Sequence, residues 1–349
     1  MRAHDEHNES APRTAADRLA HWRMKALAHL EMTRPYTVFH SGLVAIAGAE
    51  LASLGHISAG RTALVAVVTI CGWVAGLYAG DYYDREIDAR SKPARPVPSG
   101  RVAPREAFAT MCGLILAGYA ASLALGPASL ALAVATTVLG IAYSKTFKSK
   151  ALLGNFDRGV LGVCAVFFGA FAGGDALRPA VLLLAALVFC HDSATNLVGA
   201  IRDVDGDRAA GCTTVPVVYG LTRAVDIAVS LAAAWFALGV ALLVLLRPGA
   251  IALTLFAIAA ALAALVYLPL WRARQTVSRA AALRAHKYFV VERLILMSAF
   301  IAVYAPAGAT LGLLVGVAAV SIGAQALLRD RGERQHISTA PSGTELARR

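Results

Sequence analysis

Apolar runs long enough to cross a bilayer recur along almost the whole chain, and that recurrence leaves few folds open. They lie near 36–54, 61–80, 105–125, 128–144, 155–173, 179–200, 222–246, 250–271, 287–304 and 307–327. A helix needs about 20 mostly apolar residues to cross roughly 30 Å of hydrocarbon. The runs are continuously apolar and lack the alternation of an outer-membrane strand, so helices are expected. Composition agrees, with 58% of the residues hydrophobic and 16% charged, against about 25% charged in a soluble domain. The expected fold class is an all-α integral membrane protein, a bundle of nine to ten transmembrane helices.

The formal net charge of +11 reports orientation before it reports a partner. On a ten-span reading with residues 1–35 inside, Lys and Arg fall in the N-terminal tail and at 85–105, 145–150, 202–223, 272–287 and 329–349, all on one side. The opposite loops hold Arg61, Arg178 and Arg247. This is the positive-inside pattern, which places both termini in the cytoplasm near anionic lipid and gives no reason to invoke nucleic acid. Residues 1–30 lack the continuous apolar core of a cleavable signal. Cys71, Cys112, Cys164, Cys190 and Cys212 are scattered without a CxxC pair and are read as packing residues.

Four segments are expected: a polar N-terminal tail and amphipathic entry helix at 1–30, a transmembrane domain at 31–304, a further C-terminal transmembrane helix at 305–328, and a flexible tail at 329–349. The entry stretch LAHWRMKALAHLEM reads as a helix lying on the membrane surface.

Two inner loops are long and heavily charged, 81–104 and 202–221. Four spans separate them, so both emerge on one side of the membrane and can build one site. In GDYYDREIDARSKPARPVPSG, residues 80–100, a helix continuing past the membrane would stack Asp81, Asp84 and Asp88 on one face and turn Glu86 away. Asp203 and Asp207 repeat the arrangement at i, i+4, with Asp205 turned away. Clustered carboxylates beside hydrocarbon are costly unless a cation balances them. Five oxygen-donor side chains suit Mg²⁺ completed by water and phosphate oxygens, and no His or Cys is spaced to make zinc the better choice. Basic side chains are interleaved with the acids: Arg85, Lys92, Arg95 and Arg101, then Lys145 and Lys148, then Arg202 and Arg208. That mixture suits an anion bridged by divalent metal, and a diphosphate fits. The proline-rich KPARPVPSG supplies a stiff turn that would hold Arg95.

These residues resemble the UbiA superfamily of intramembrane prenyltransferases. GDYYDREID with RPVPSG is similar to the family's first acidic motif, and RDVDGDRAAGCTTVP to its second. AYSKTFKSKALLGN, with Tyr143, Lys148 and Asn155, resembles the element that opens the fifth span, and Arg34-Pro35 the opening Arg-Pro. The likeness runs from about residue 30 to about 304. Two departures stand out: Gly80 occupies the place of the family's usual Asn, removing one neutral oxygen ligand, and a tenth span follows the usual nine. The resemblance implies a helical bundle around a central cavity open sideways to lipid. Asp81, Asp84, Asp88, Asp203 and Asp207 would bind Mg²⁺ bridged to an isoprenyl diphosphate. Arg95, Lys145, Lys148 and Arg202 would contact its phosphate oxygens, with Tyr143 and Asn155 beside them. The isoprenyl group would pass to an aromatic, quinone-precursor or lipid-like hydrophobic acceptor. Two alternatives remain at this stage: a terpene cyclase that uses the same ionisation, and an ion-coupled transporter. Against transport, the acids lie at the ends of spans rather than at the midplane.

A few polar residues fall inside apolar runs. His191 and Asp192, which precede Asn196 in the sixth span, read either as contacts near the acceptor or as an interhelical hydrogen-bond network. Asp157 and Arg158 read as a self-neutralising pair. His286-Lys287-Tyr288 and Glu292-Arg293 read as interface anchors.

Overall fold

A computed structural model describes residues 14–329. The polar segments before and after them, expected to be flexible, lie outside the described residues. The helices are α1 Ala15–Thr33, α2 Phe39–Ser53, α3 Ala59–Tyr83, α4 Arg85–Ser91, α5 Pro104–Leu123, α6 Pro127–Ala142, α7 Ala151–Gly173, α8 Pro179–Ala209, α9 Val215–Leu246, α10 Ala250–Arg272, α11 Arg279–Ile301 and α12 Ala307–Ala324. A π-helical turn, Tyr143–Phe147, extends α6. Each of the ten apolar runs coincides with a helix.

Eight of these helices are long and apolar enough to cross a membrane: α3, α5, α6, α7, α8, α9, α10 and α12. The other two that match apolar runs depart from this for opposite reasons. Helix α2 has 15 residues and is all interior, with His40 through Ala52 buried. Helix α11 is long enough but carries Glu292 and Arg293, both buried. They face protein rather than lipid, which relaxes the demand for apolar length.

Local sequence explains the helix ends. Proline occupies the first turn of α5, α6, α8 and α9, where its missing N–H costs nothing. Ser58 and Ser278 cap α3 and α11 through their hydroxyls. Gly220, at φ +83°, breaks α9 just after its first turn. Helices α2 and α7 touch backbone to backbone. A methyl on Gly169 would stand 1.8 Å from the Ala45 carbonyl oxygen, and one on Gly173 would stand 2.4 Å from that of Ala49. Small residues spaced by four allow this close approach between membrane helices.

The main core is shared by α2, α7, α8, α9, α10 and α11. A second cluster joins α1 to α3 and α5 through Ala28, Met32, Tyr78 and Met111. Helix α1 is thereby clamped on one side and leaves Leu19, Trp22, Met24 and Leu27 more than half exposed on the other. His29 Nδ1 meets the Tyr78 hydroxyl at 2.7 Å, and Lys25 pairs with Glu106 at 3.0 Å. Helix α8, at 31 residues, is about 46 Å long. It overshoots a roughly 30 Å hydrocarbon layer and carries Arg202 to Asp207 past the membrane. Helix α3 likewise ends at the first acidic turn.

Candidate functional site

A cavity of about 1280 Å³ opens between the two acidic turns. Asp81, Asp84 and Asp88 line it from one side, and Asp203 and Asp207 from the other. The chain passes from α3 into α4 with little break: the Asp84 amide donates to the Gly80 carbonyl at 2.9 Å, and the Asp88 amide to the Asp84 carbonyl at 2.7 Å. That continuity keeps the three carboxylates near one face. Glu86 is 85% exposed and stays out of the cavity wall.

Each carboxylate of the first turn meets a cation from elsewhere in the chain. Arg34 Nη2 donates to Asp81 Oδ1 at 2.6 Å, Arg95 pairs with Asp88, and Lys148 pairs with Asp84. Asp81 and Asp88 are buried, so these cations offset a desolvation cost that bare carboxylates would bear. In the second turn Arg202 forks onto Asp203, Nε to Oδ1 at 2.9 Å and Nη2 to Oδ2 at 2.6 Å. Asp207 Oδ2 accepts from the Thr214 hydroxyl at 3.0 Å. Burial and the neighbouring Arg95 push the Lys92 ammonium below its usual value, with Asp203 and Asp88 pulling the other way.

The turn after α4 is ordered as its prolines suggest. The Ser99 amide donates to the Arg95 carbonyl at 3.0 Å and that of Val102 to Pro96 at 3.0 Å, while Val97 and Val102 are buried beneath. Arg95 is thus presented by a rigid base.

A two-residue parallel bridge, Lys150 with Thr213 and Ala151 with Thr214, ties the segment after α6 to the one after α8. Lys148 therefore sits on a segment that touches both acidic turns, through Asp84 directly and through Thr214 to Asp207.

Arg95, Lys145, Lys148, Arg202 and Tyr143 all line the cavity; Asn155 does not. Asn155 Nδ2 donates to Asn196 Oδ1 at 2.7 Å, and Asn196 Nδ2 donates to the Tyr143 hydroxyl at 3.2 Å. Asn196 is the residue of this chain that reaches the wall. Arg34, Lys92 and Asn196 complete the cluster; the sequence placed Lys92 among the surrounding cations but assigned none of the three a contact with the diphosphate. The sequence carried a signal for Arg34 in its Arg-Pro pair and none for the contact with Asp81. The fold also brings Cys212 and His286 to the same wall, which spacing along the chain did not foreshadow. Burial, with Asp207 and Asp84 nearby, pushes the Cys212 thiol above its usual value, against a smaller pull from Lys148.

Deeper in the bundle the polar residues form one network. Arg158 Nη1 pairs with Asp192 Oδ2 at 3.2 Å, so its partner is Asp192 and not the adjacent Asp157. His40 Nε2 meets Asp192 Oδ1 at 3.0 Å, and His191 Nε2 meets Glu292 Oε2 at 2.9 Å. Glu292 and Arg293 are 1% and 6% exposed, which corrects their reading as interface anchors: they lie in the core. His40, His191 and Asp192 are the one trio of metal-type donors that converges within 4.8 Å among the described residues. Most of its polar atoms are engaged with one another, with Arg158 and with Glu292, as in a hydrogen-bond network, while His40 Nδ1 is buried without a partner among the described residues.

The acidic turns do not converge on a single point; they surround a space. Oxygen donors on two sides, with cations between them, fit a hard divalent ion that shares its coordination shell with a polyanion.

The fold and cavity define a multi-pass membrane protein whose cavity joins a charged rim to walls of mixed polar and apolar side chains. Residues 41–292 match the model of the UbiA prenyltransferase family. The chain belongs to that family. The digeranylgeranylglyceryl phosphate synthase of Natronomonas pharaonis is 35% identical over 200 residues, 57% of this chain and 71% of the relative. A solved structure concerned with digeranylgeranylglyceryl phosphate synthase in membranes superposes with a TM-score of 0.62 at 26% identity, covering 80% of this chain and 98% of that one. A UbiA homologue from Archaeoglobus fulgidus, bound to GPP and Mg²⁺, shares the fold with a TM-score of 0.59 at 17% identity, covering 78% and 99%.

Proposed function

We propose that the protein is a Mg²⁺-dependent intramembrane prenyltransferase that moves an isoprenyl group from a prenyl diphosphate to a lipid-like acceptor. The observation that carries this is the shared cavity: both acidic turns and the cations Arg95, Lys145, Lys148 and Arg202 face one space. The relatives named digeranylgeranylglyceryl phosphate synthase and the homologue solved with GPP and Mg²⁺ support the same chemistry.

Asp81, Asp84, Asp88, Asp203 and Asp207 hold the metal. Bound Mg²⁺ supplies charge neutralisation and Lewis acidity at the diphosphate. Arg95, Lys145, Lys148 and Arg202 hold phosphate oxygens, so the charge that builds up as the allylic C–O bond breaks meets fixed cations. Tyr143, oriented by Asn196 with Asn155 behind it, offers a hydroxyl at the same wall. The apolar walls below, with Val44, Val68, Leu114 and Phe168, keep water from the allylic cation until the acceptor attacks it. Both termini and both acidic turns lie on the cytoplasmic side, residues 31–304 form the catalytic bundle, and 305–328 add a helix that packs on α11.

The test is diphosphate release by purified protein given Mg²⁺ and labelled prenyl diphosphates of several lengths, with and without lipid extract as acceptor. Release coupled to a prenylated lipid supports the proposal. A cyclic hydrocarbon formed without acceptor would replace it with a cyclase, and no release from any donor would remove the enzyme reading.

A further inference from the structure

Helix α1 is only half accounted for by the bundle it touches. It buries one face against α3 and α5 through Ala28 and Met32, while Leu19, Trp22, Ala26, Leu27 and Leu30 recur at helical spacing on the other. Leu19, Trp22, Leu27 and Leu30 are 61%, 68%, 57% and 45% exposed. An apolar stripe of this kind calls for a partner.

Polar contacts fix the level at which α1 lies. Lys25 and His29 pair with Glu106, in the first turn of α5, at 3.0 and 3.1 Å, and His29 Nδ1 meets the Tyr78 hydroxyl on α3 at 2.7 Å. Met32 packs in one cluster with Met111, the fifth residue after Glu106 and so about 7.5 Å further along α5. The helix therefore runs where α5 enters the membrane, at the depth of about 5–10 Å where amphipathic helices sit between head groups and acyl chains. Its charges suit an anionic leaflet. Asp17 is folded back onto Thr14 and Glu31 is taken by Arg101 at 2.7 Å, whereas Arg18 and Arg23 are exposed. Trp22 is of the residue type enriched at that boundary.

The same helix ends in the mouth of the cavity. Glu31, Met32 and Arg34 line it. Helix α1 runs unbroken to Thr33, and its C-cap is Arg34, whose amide donates to the Glu31 carbonyl at 3.2 Å. A shift of α1 against the membrane surface is thus a shift of the Arg34 guanidinium against the first acidic turn. Arg34 and Arg95 both reach Oδ1 of Asp81, at 2.6 and 3.5 Å, so a metal taking Oδ2 would not displace them.

We propose that the exposed face of α1 docks into an anionic lipid leaflet, and that this docking strengthens the diphosphate site by seating Arg34 on Asp81. Lipid is then a ligand of this helix as well as the solvent of the spans. The second half of the proposal rests on the prenyltransferase reading; the first half does not.

The test uses full-length protein in nanodiscs of phosphatidylcholine alone or of an equal mixture of phosphatidylcholine and phosphatidylglycerol. Lipids brominated near the head group or near the chain end report tryptophan depth, and subtraction of Trp22→Phe isolates Trp22 from Trp73, Trp235 and Trp271. Shallow bromines should quench Trp22 more than deep ones, and more in the anionic discs. Calorimetric titration with Mg²⁺ and pyrophosphate should show binding at least about fivefold tighter in the anionic discs. Leu19→Gln with Leu27→Gln, both outside the buried face, should abolish the quenching and the lipid dependence together. Arg34→Gln should keep the quenching and lose the lipid dependence.

Trp22 quenched no more in anionic discs than in neutral ones, or pyrophosphate bound with equal strength in both, would overturn the proposal from wild-type protein alone, even if a variant failed to fold. Lipid dependence that survived Arg34→Gln would overturn the route through Asp81. No pyrophosphate binding in either disc would instead count against the prenyltransferase reading and remove the second half with it, while the quenching still decides the docking.

Discussion

Arg34 donates to Asp81 at 2.6 Å, joining the turn between α1 and α2 to the end of α3. The first acidic turn is therefore clamped by an arginine 47 residues earlier in the chain, beside the surface-exposed face of α1. Asp81 holds the Arg34 guanidinium charged against the opposing effect of burial. Arg34→Gln removes this clamp. The Asp81 side chain is 5% exposed, but Arg95 stands 3.5 Å away as a second partner, so the stability cost should be about 1–2 kcal/mol rather than that of a fully orphaned charge. Thermal unfolding should show it, and Arg34→Gln with Asp81→Asn should recover stability without recovering diphosphate release.

Gly80 lines the cavity at the position where the family resemblance leads one to expect Asn, and a methyl there would meet no atom within 4 Å. Gly80→Asn should therefore fold like wild type and lower the Mg²⁺ concentration needed for half-maximal diphosphate release. An unchanged Mg²⁺ requirement would mean that the position does not face the ion.

The α2–α7 contact should be the least forgiving of added volume. Gly169→Ala places a methyl 1.8 Å from the Ala45 carbonyl oxygen and must push the helices apart, costing about 1–3 kcal/mol or more. Gly113→Ala, where nothing lies within 4 Å, should be neutral or slightly stabilising. Unfolding temperatures of the two variants in the same detergent make the comparison.

The organisation along the chain was largely legible, because membrane spans announce themselves by length and apolarity, and all ten runs are helices. The acidic turns were legible because carboxylates at i, i+3 and i+7 beside hydrocarbon need a cation. What sequence could not supply was pairing across the bundle. Arg158 stands next to Asp157 in sequence, but on a helix neighbours point apart, and Arg158 finds Asp192 on α8 instead. Glu292 and Arg293 look like anchors at the end of a span because nothing in their local sequence reveals that α11 is enclosed by protein. Asn155 carried the family pattern while Asn196, which it supports, is the one at the wall.

Cys212 offers a test of sidedness and of local charge. With Cys71, Cys112, Cys164 and Cys190 replaced by Ala, maleimide should label it from the cytoplasmic face. The raised thiol pKa means less thiolate at pH 7.5 than in a free cysteine, so labelling should be slower there and should climb as pH rises beyond the ordinary thiol range. Asp207→Asn removes a nearby negative charge and should speed labelling at fixed pH.

The central claim is that two acidic turns, separated by four spans, act as one metal and diphosphate site. Calorimetric titration of Mg²⁺ with pyrophosphate into wild type, Asp84→Asn, Asp207→Asn and the double variant tests it most directly. Each single change should remove nearly all the metal-dependent binding, with the double variant no weaker than either alone. Losses that simply add, or full binding retained in either single variant, would show that the turns do not share a ligand.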